Sequence, residues 1–403
     1  MRLSKITAIR LLAGLLVCLT SCRADDKASS SKPSFQISAS SSVSATVSSA
    51  ATSVTSPTTS PPSSTSISTS TKTSVSIPAD AIQFYGRYVR TTEGGWSFDW
   101  PGVTMSAGFE GEGISVILNN SAKTNDYLAC SVDGGPAFKL TVTPGKHRYS
   151  LADGLSAGRH TVALIKRTEG YRTGLLTLCS IDYQGGKAAP APARPARHIE
   201  IVGDSITAGY GNESAPTQNQ FRLYEENAAE SYGYLAAVAL DASCSLVAIS
   251  GAGLAADYSG GNRLVPAYYN RALCRRGDTW NAALPPDVVV INLGTNDFRG
   301  RVDPSRYQTA YQHFLDRLRA LYPTAHIVCA IGPMEPMAGQ AAPYVRQAAD
   351  KRAALGDKAV SYLRLELDGT DPSLWGGEGH PSLKGHRQLS TQLEAHLRQT
   401  VYA

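Results

Sequence analysis

The chain has 403 residues, 42% hydrophobic and 18% charged, enough apolar material for two globular domains with buried cores. Lys and Arg total 38 against 33 Asp and Glu, a formal charge of +5. The basic residues form no run and do not interleave with aromatics, so no nucleic-acid footprint is expected.

Arg2, Lys5 and Arg10 precede an apolar run from Leu11 to Thr20. That run is about half of the ~20 residues a spanning helix needs, and it reads as a signal peptide. It ends in Leu19-Thr20-Ser21-Cys22, which resembles the bacterial lipobox, whose cysteine carries lipid in the mature protein. An ordinary cleaved signal is the alternative. Residues 1–22 are therefore expected to export the protein and anchor it through Cys22 to a bacterial membrane, in the periplasm or at the cell surface. Residues 23–79 are mostly Ser, Thr, Pro, Val and Ala, and without clustered large apolar side chains they read as a disordered linker.

Residues 80–186 carry period-two stretches such as "GISVILNN", "YLACSVDG", "HTVALIKRT" and "LLTLCSIDY", separated by Gly, Asp and Pro turns. This pattern predicts an all-β antiparallel sandwich. Of seven cysteines, Cys18 and Cys22 belong to the leader. Cys130, Cys179, Cys244, Cys274 and Cys329 remain, an odd number, with Cys130 and Cys179 as the candidate pair. No Cys or His spacing matches a metal site. Residues 187–197, "KAAPAPARPAR", read as a Pro/Ala linker.

Residues 198–403 change pattern. The short apolar runs "HIEIVG", "CSLVAIS", "PDVVVINLG" and "AHIVCAIGP" are those of strands buried on both faces of a parallel sheet. Helical segments alternate with them. In "SRYQTAYQHFLDRLRALY" the residues Tyr307, Tyr311, Phe314, Leu318 and Leu321 share one face, and "NAAESYGYLAAVAL" reads as another helix. The alternation predicts an α/β domain of three α/β/α layers, with functional groups past the carboxyl ends of the strands.

Those strand ends carry a consistent chemistry. Gly203-Asp204-Ser205 follows the first strand, Ser250-Gly251-Ala252-Gly253 the second and Gly294-Thr295-Asn296-Asp297 the third, while "WGGEGHPSLKGH" lies near the C-terminus. A serine needs a base to become nucleophilic, and the oxyanion it creates needs preorganised donors. Ser205 is the candidate nucleophile and His380 the candidate base, with His386 its nearest rival. The amides of Ser205 and Gly251 and the side chain of Asn296 are the candidate oxyanion hole. Asp204 and Asp297 read as structural.

"GDSITAGYGN", "SGAG", "GTND" and "GEGHPS" resemble, in order and strand context, the blocks of SGNH (GDSL-type) hydrolases. Residues 80–400 as a whole resemble carbohydrate esterase family 2. The resemblance implies a jelly-roll domain before a flavodoxin-like SGNH domain, an acetyl esterase acting on acetylated xylan, glucomannan or oligosaccharides, some at the 6-hydroxyl, and no metal or cofactor. The family commonly shows Asp-Trp-His where this chain has Glu378-Gly379-His380. Glu378 is thus a candidate to orient His380 as a triad acid does, against a backbone carbonyl as the alternative. Trp280 and Trp375 are candidate stacking surfaces in place of the missing tryptophan, and Tyr210 is a candidate to line the pocket, with packing as its alternative. Two other functions stay open: an esterase of cell-envelope glycans or lipid esters, and a glycan-binding protein with impaired catalysis.

Overall fold

The computed structural model describes residues 74–281 and 284–402; the expected leader, the lipobox and most of the Ser/Thr/Pro segment lie outside them. The tail of that segment is ordered. Ser74–Ser76 adds to the edge of a sheet by pairing with Asp182, Tyr183 and Gln184, and Ile77 is buried.

Two six-stranded antiparallel sheets make the first domain. One follows the order Val89–Arg90, Trp96–Phe98, Leu176–Gln184, Gly113–Asn120, Gly145–Asp153. The other follows Lys187–Ala189, Thr104–Glu110, Arg159–Lys166, Asp126–Val132, Phe138–Val142. Alternation places Ile114, Val116 and Leu118 on the inner face of one sheet and Met105, Ala107 and Phe109 on that of the other, all fully buried. The Pro/Ala segment begins as a strand, because Lys187–Ala189 still pairs with Thr104–Glu110. Cys130 and Cys179 do not pair: all five cysteines among the described residues are free thiols. Cys130 is packed in the core of one sheet, whereas Cys179 stands at a bulge of the other, where the register slips between Leu178 and Ser180.

The second domain is built on five parallel strands in the order Ala242–Ala248, Arg197–Gly203, Val288–Asn292, His326–Ile331, Val360–Arg364. Counted along the chain this is 2-1-3-4-5, the flavodoxin-like order, whose switch point lies between strands one and three. Pro304–Leu321 and Met337–Ala354 cover one face through Tyr307, Tyr311, Phe314 and Val345; Tyr232–Ala239 and Leu383–Thr400 cover the other through Tyr232, Leu389 and Leu393. In the first of these helices Leu321 is 45% exposed and Leu315 is buried in its place, since Leu321 is the helix's last residue. The "NAAESYGYLAAVAL" segment is a single 3-10 turn, Ala228–Glu230, followed by a helix from Tyr232. Its start is diverted by the Ala228 amide, which donates to the Arg167 carbonyl of the sandwich at 2.8 Å.

The two domains pack through buried polar groups. Arg87 of the sandwich pairs with Glu200 of the first parallel strand at 2.9 Å, both about 2% exposed or less. Asp99 accepts the Cys274 amide at 2.8 Å. A buried charge stripped of its partner is strongly destabilising, so these contacts fix the sandwich against the parallel-sheet domain.

Candidate active site

The strand Arg197–Gly203 ends where the helix Ser205–Ala208 begins. Asp204 caps that helix by accepting the Ile206 amide at 3.0 Å, and a side chain on Gly203 would collide with Thr207. The turn is therefore too tight for any residue but glycine before Asp204, and it aims Ser205 outward, 7% exposed, into a cleft of about 750 Å³.

His380 meets Ser205 there, with Nε2 2.8 Å from Oγ. On the opposite edge of the ring Nδ1 faces the Gly377 carbonyl at 3.3 Å. A carbonyl only accepts, so Nδ1 carries the hydrogen and Nε2 presents its lone pair to the serine. Burial, the largest influence, pushes the imidazole down to about 4. The ring is neutral at physiological pH.

Glu378 does not reach His380 with its carboxylate. Its backbone lies in the left-handed region at φ 52°, and its carboxylate accepts the Tyr210 hydroxyl at 3.0 Å. The Gly376–His380 segment is held instead by backbone bonds to the loop that follows Ser205: the Gly377 amide donates to Gly211 O at 3.1 Å and the Glu378 amide to Gln218 O at 3.0 Å. The loop after the serine thus positions the histidine.

The Gly251 amide has no acceptor among the described residues. Gly251 has φ 75°, and a Cβ there would stand 2.9 Å from Tyr258. Its loop is shaped by Asp297, fully buried, which accepts the amides of Leu254, Ala255 and Ala256 at 2.6 to 3.0 Å. Asn296 Nδ2 donates to Asp204 Oδ2 at 3.0 Å and to Ala252 O at 2.9 Å, so both amide hydrogens are engaged. Burial, reinforced by the neighbouring Asp297 charge, raises Asp204 to about 7.

Of the proposed sugar contacts, Tyr210 lines the cleft, its ring 4.4 Å from His380 and stacked on Phe221 at 4.2 Å. The two tryptophans do not line it. Trp280 packs edge-on to Tyr88 at 6.0 Å in a separate hollow, and Trp375 donates to Asp368 O at 3.0 Å. His386, the rival base, is fully buried; its Nδ1 accepts the Tyr232 amide at 3.1 Å, and burial pushes it down to about 3.

Sequence reasoning missed the sandwich's share of the cleft. The turn after Arg159–Lys166 supplies Tyr171 and Arg172. Arg172 lies over the rings of Phe221 at 4.5 Å and Tyr210 at 5.2 Å. Behind it Glu169, fully buried, accepts Arg172 Nε at 2.8 Å and the Ser250 amide at 2.6 Å, linking the sandwich to the residue next to Gly251. The run of charge and aromatics in "KRTEGYR" between two strands is the one signal that marks this turn.

Comparison with known proteins agrees with this arrangement. Residues 84–192 match the carbohydrate esterase 2 N-terminal family and residues 201–388 the GDSL-like lipase/acylhydrolase family. A cellulase/esterase, CelE, of Acetivibrio thermocellus is 32% identical over 323 residues, which span 79% of this chain but only 39% of that protein. An acetylxylan esterase / glucomannan deacetylase of Cellvibrio japonicus is 29% identical across 79% of this chain and 89% of its own length. Among solved structures, a family two carbohydrate esterase from Clostridium thermocellum in complex with cellohexaose superposes with a TM-score of 0.76 at 32% identity, covering 80% of this chain and 99% of that one. With both domains matched in order and a solved relative covered end to end, the chain belongs to carbohydrate esterase family 2.

Proposed function

We propose that the chain is a serine esterase that removes O-acetyl groups from carbohydrates through an acyl-enzyme on Ser205. The observation that carries this reading is the 2.8 Å contact between Ser205 Oγ and a neutral His380 whose far nitrogen faces the Gly377 carbonyl. Ser205 passes its proton to Nε2 as Oγ attacks the ester carbonyl. The amides of Ser205 and Gly251 receive the oxyanion, and Asn296 joins them by sharing a hydrogen now given to Asp204 or Ala252. The imidazolium then protonates the departing sugar oxygen. Water, activated by the same histidine, releases acetate and restores the serine. None of these steps calls for a metal.

The names of the relatives support acetylated xylan and glucomannan as the substrate class, to which the family resemblance of the sequence adds their oligosaccharides and 6-hydroxyl esters. The pattern of residues 1–22 supports a site of action at the cell envelope, with Cys22 as lipid anchor. The test is acetate release from acetylated xylan, acetylated glucomannan, a 6-O-acetyl hexoside and an acetylated envelope glycan, wild type beside Ser205→Ala. Release from the plant-type glycans that vanishes in the variant is expected. Release from the envelope glycan alone would redirect the substrate assignment, and release unaffected by the substitution would overturn the mechanism.

A further inference from the structure

Removing acetyl from a neutral sugar calls for no cation, yet Arg172, Arg263 and Arg299 all line the cleft. The carboxylate facing them is Glu378, which already accepts the Tyr210 hydroxyl. Arg172 has Glu169 behind it. Arg263 and Arg299 have no carboxylate within ion-pair distance among the described residues. Asp257, in the same loop as Arg263, gives its oxygens to the amides of Ser259, Gly261 and Arg263.

Arg263 is the best placed of the three. Its guanidinium lies 5.1 Å from the Tyr171 ring and 5.6 Å from that of Tyr258, and its Nε is enclosed without a partner. A Cβ on Gly251 would stand 3.1 Å from Nη2, so the tip of the guanidinium flanks the proposed oxyanion site. A second hollow of about 600 Å³ shares Arg172 with the cleft and is lined also by Lys123, Tyr127 and Phe221. Lys123 has no ion pair among the described residues either. Positive charge therefore lines two neighbouring hollows, from Ser205 to the sandwich, with Arg172 as their shared wall, and together they make the groove a glycan chain would follow. A guanidinium held between aromatic faces with no counter-ion is pre-organised for a bidentate carboxylate.

We propose that this groove selects acidic glycans: O-acetylated chains carrying a uronic acid close to the acetylated sugar, with Arg263 receiving the carboxylate and Arg172 and Lys123 the chain beyond it. Turnover of such a substrate rests on the esterase reading above; its binding does not.

The test uses the full chain carrying Ser205→Ala, titrated with a glucuronic-acid-bearing xylo-oligosaccharide, a neutral xylo-oligosaccharide of the same length, and free acetate. The acidic ligand is expected to bind about tenfold more tightly than the neutral one, the worth of one charged hydrogen-bonded contact. That preference should shrink to within about twofold with raised salt or with Arg263→Ala or Arg263→Gln, the second variant guarding against misfolding of the first. Equal affinities, a preference untouched by both variants, or displacement of the acidic ligand by acetate at comparable concentration would overturn it, the last by showing a product site. Acetate release by the wild type from acetylated acidic and neutral oligosaccharides separates the two readings. Equal turnover of both contradicts acidic selection and leaves the esterase standing, whereas Arg263-dependent binding with no turnover contradicts the esterase and leaves acidic selection standing.

Discussion

The wall of the cleft nearest the parallel sheet and the wall facing the sandwich are built from different materials. On the sheet side Asp204, Asn296 and Asp297 are buried and each polar atom that shapes a turn meets a backbone amide, a carbonyl or another of the three. On the sandwich side the contacts are mainly with ring faces: Arg172 lies over Phe221 and Tyr210, and Arg263, from the loop after the second parallel strand, lies over Tyr171. Hydrogen bonds inside a low-dielectric interior fix position, while aromatic and cationic surfaces leave shape for a ligand to complete. Reaction geometry thus belongs to the sheet wall and ligand choice to the sandwich wall.

Substitutions on the two walls should therefore differ in size and kind. The largest effect after the nucleophile itself is expected at His380. His380→Ala should cost about 10²- to 10⁴-fold in kcat/KM, the range for a general base, whereas His386→Ala should lower the melting temperature by removing the acceptor of the Tyr232 amide and leave the rate nearly unchanged. Equal loss in both would dissolve the distinction. The pH profile sharpens it. With His380 pushed down to about 4, the base form is present at neutral pH and is lost only as pH falls through about 4. The rate should thus stay level well below ~6.5, where an ordinary imidazole titrates; an inflection there would show a solvated ring.

Asn296→Ala comes next, at about 10²- to 10³-fold in kcat with little change in KM, as for loss of one oxyanion donor. Part of that loss would come from the freed Asp204 carboxyl, so Asn296→Asp should be at least as harmful. A rate within about threefold would remove Asn296 from the oxyanion hole. Glu169→Gln should cost less, about tenfold, by loosening the Ser250 amide and Arg172 together. It is the one sandwich residue expected to lower kcat as well as raise KM, and an effect on KM alone would sever the sandwich from the oxyanion loop. Smallest is Glu378→Gln, within about threefold, because its carboxylate faces Tyr210 and not the imidazole. A loss near that of His380→Ala would mean that Glu378 swings to His380 during turnover.

Legibility in the sequence followed the same division. Strands such as Val288–Asn292 are buried along their whole length and apolar up to Ile291 because both faces are covered, and Ser205 and His380 stand in short glycine-flanked blocks, so the sheet wall could be read before the fold was known. The fifth strand, Val360–Arg364, is half-exposed along its length and mixes Ser, Tyr and Arg with its apolar residues, which hides it. The partner of His380 Nδ1 is a backbone carbonyl, and a backbone group has no letter in a sequence; Glu378, the adjacent carboxylate, attracted the role. Arg172 and Tyr171 reach the cleft from a turn some 30 residues before Ser205 in the chain, on a domain whose sequence carries no catalytic pattern. Trp280 and Trp375 drew attention as aromatics, but one packs on Tyr88 and the other bonds to Asp368.

The most direct test is to quench the chain with acid during turnover of an acetylated xylo-oligosaccharide and map the peptides. An acetyl ester on the peptide containing Ser205, absent from Ser205→Ala together with acetate release, is the predicted result. Turnover that proceeds with Ser205 unmodified, or that persists in the variant, would contradict the account.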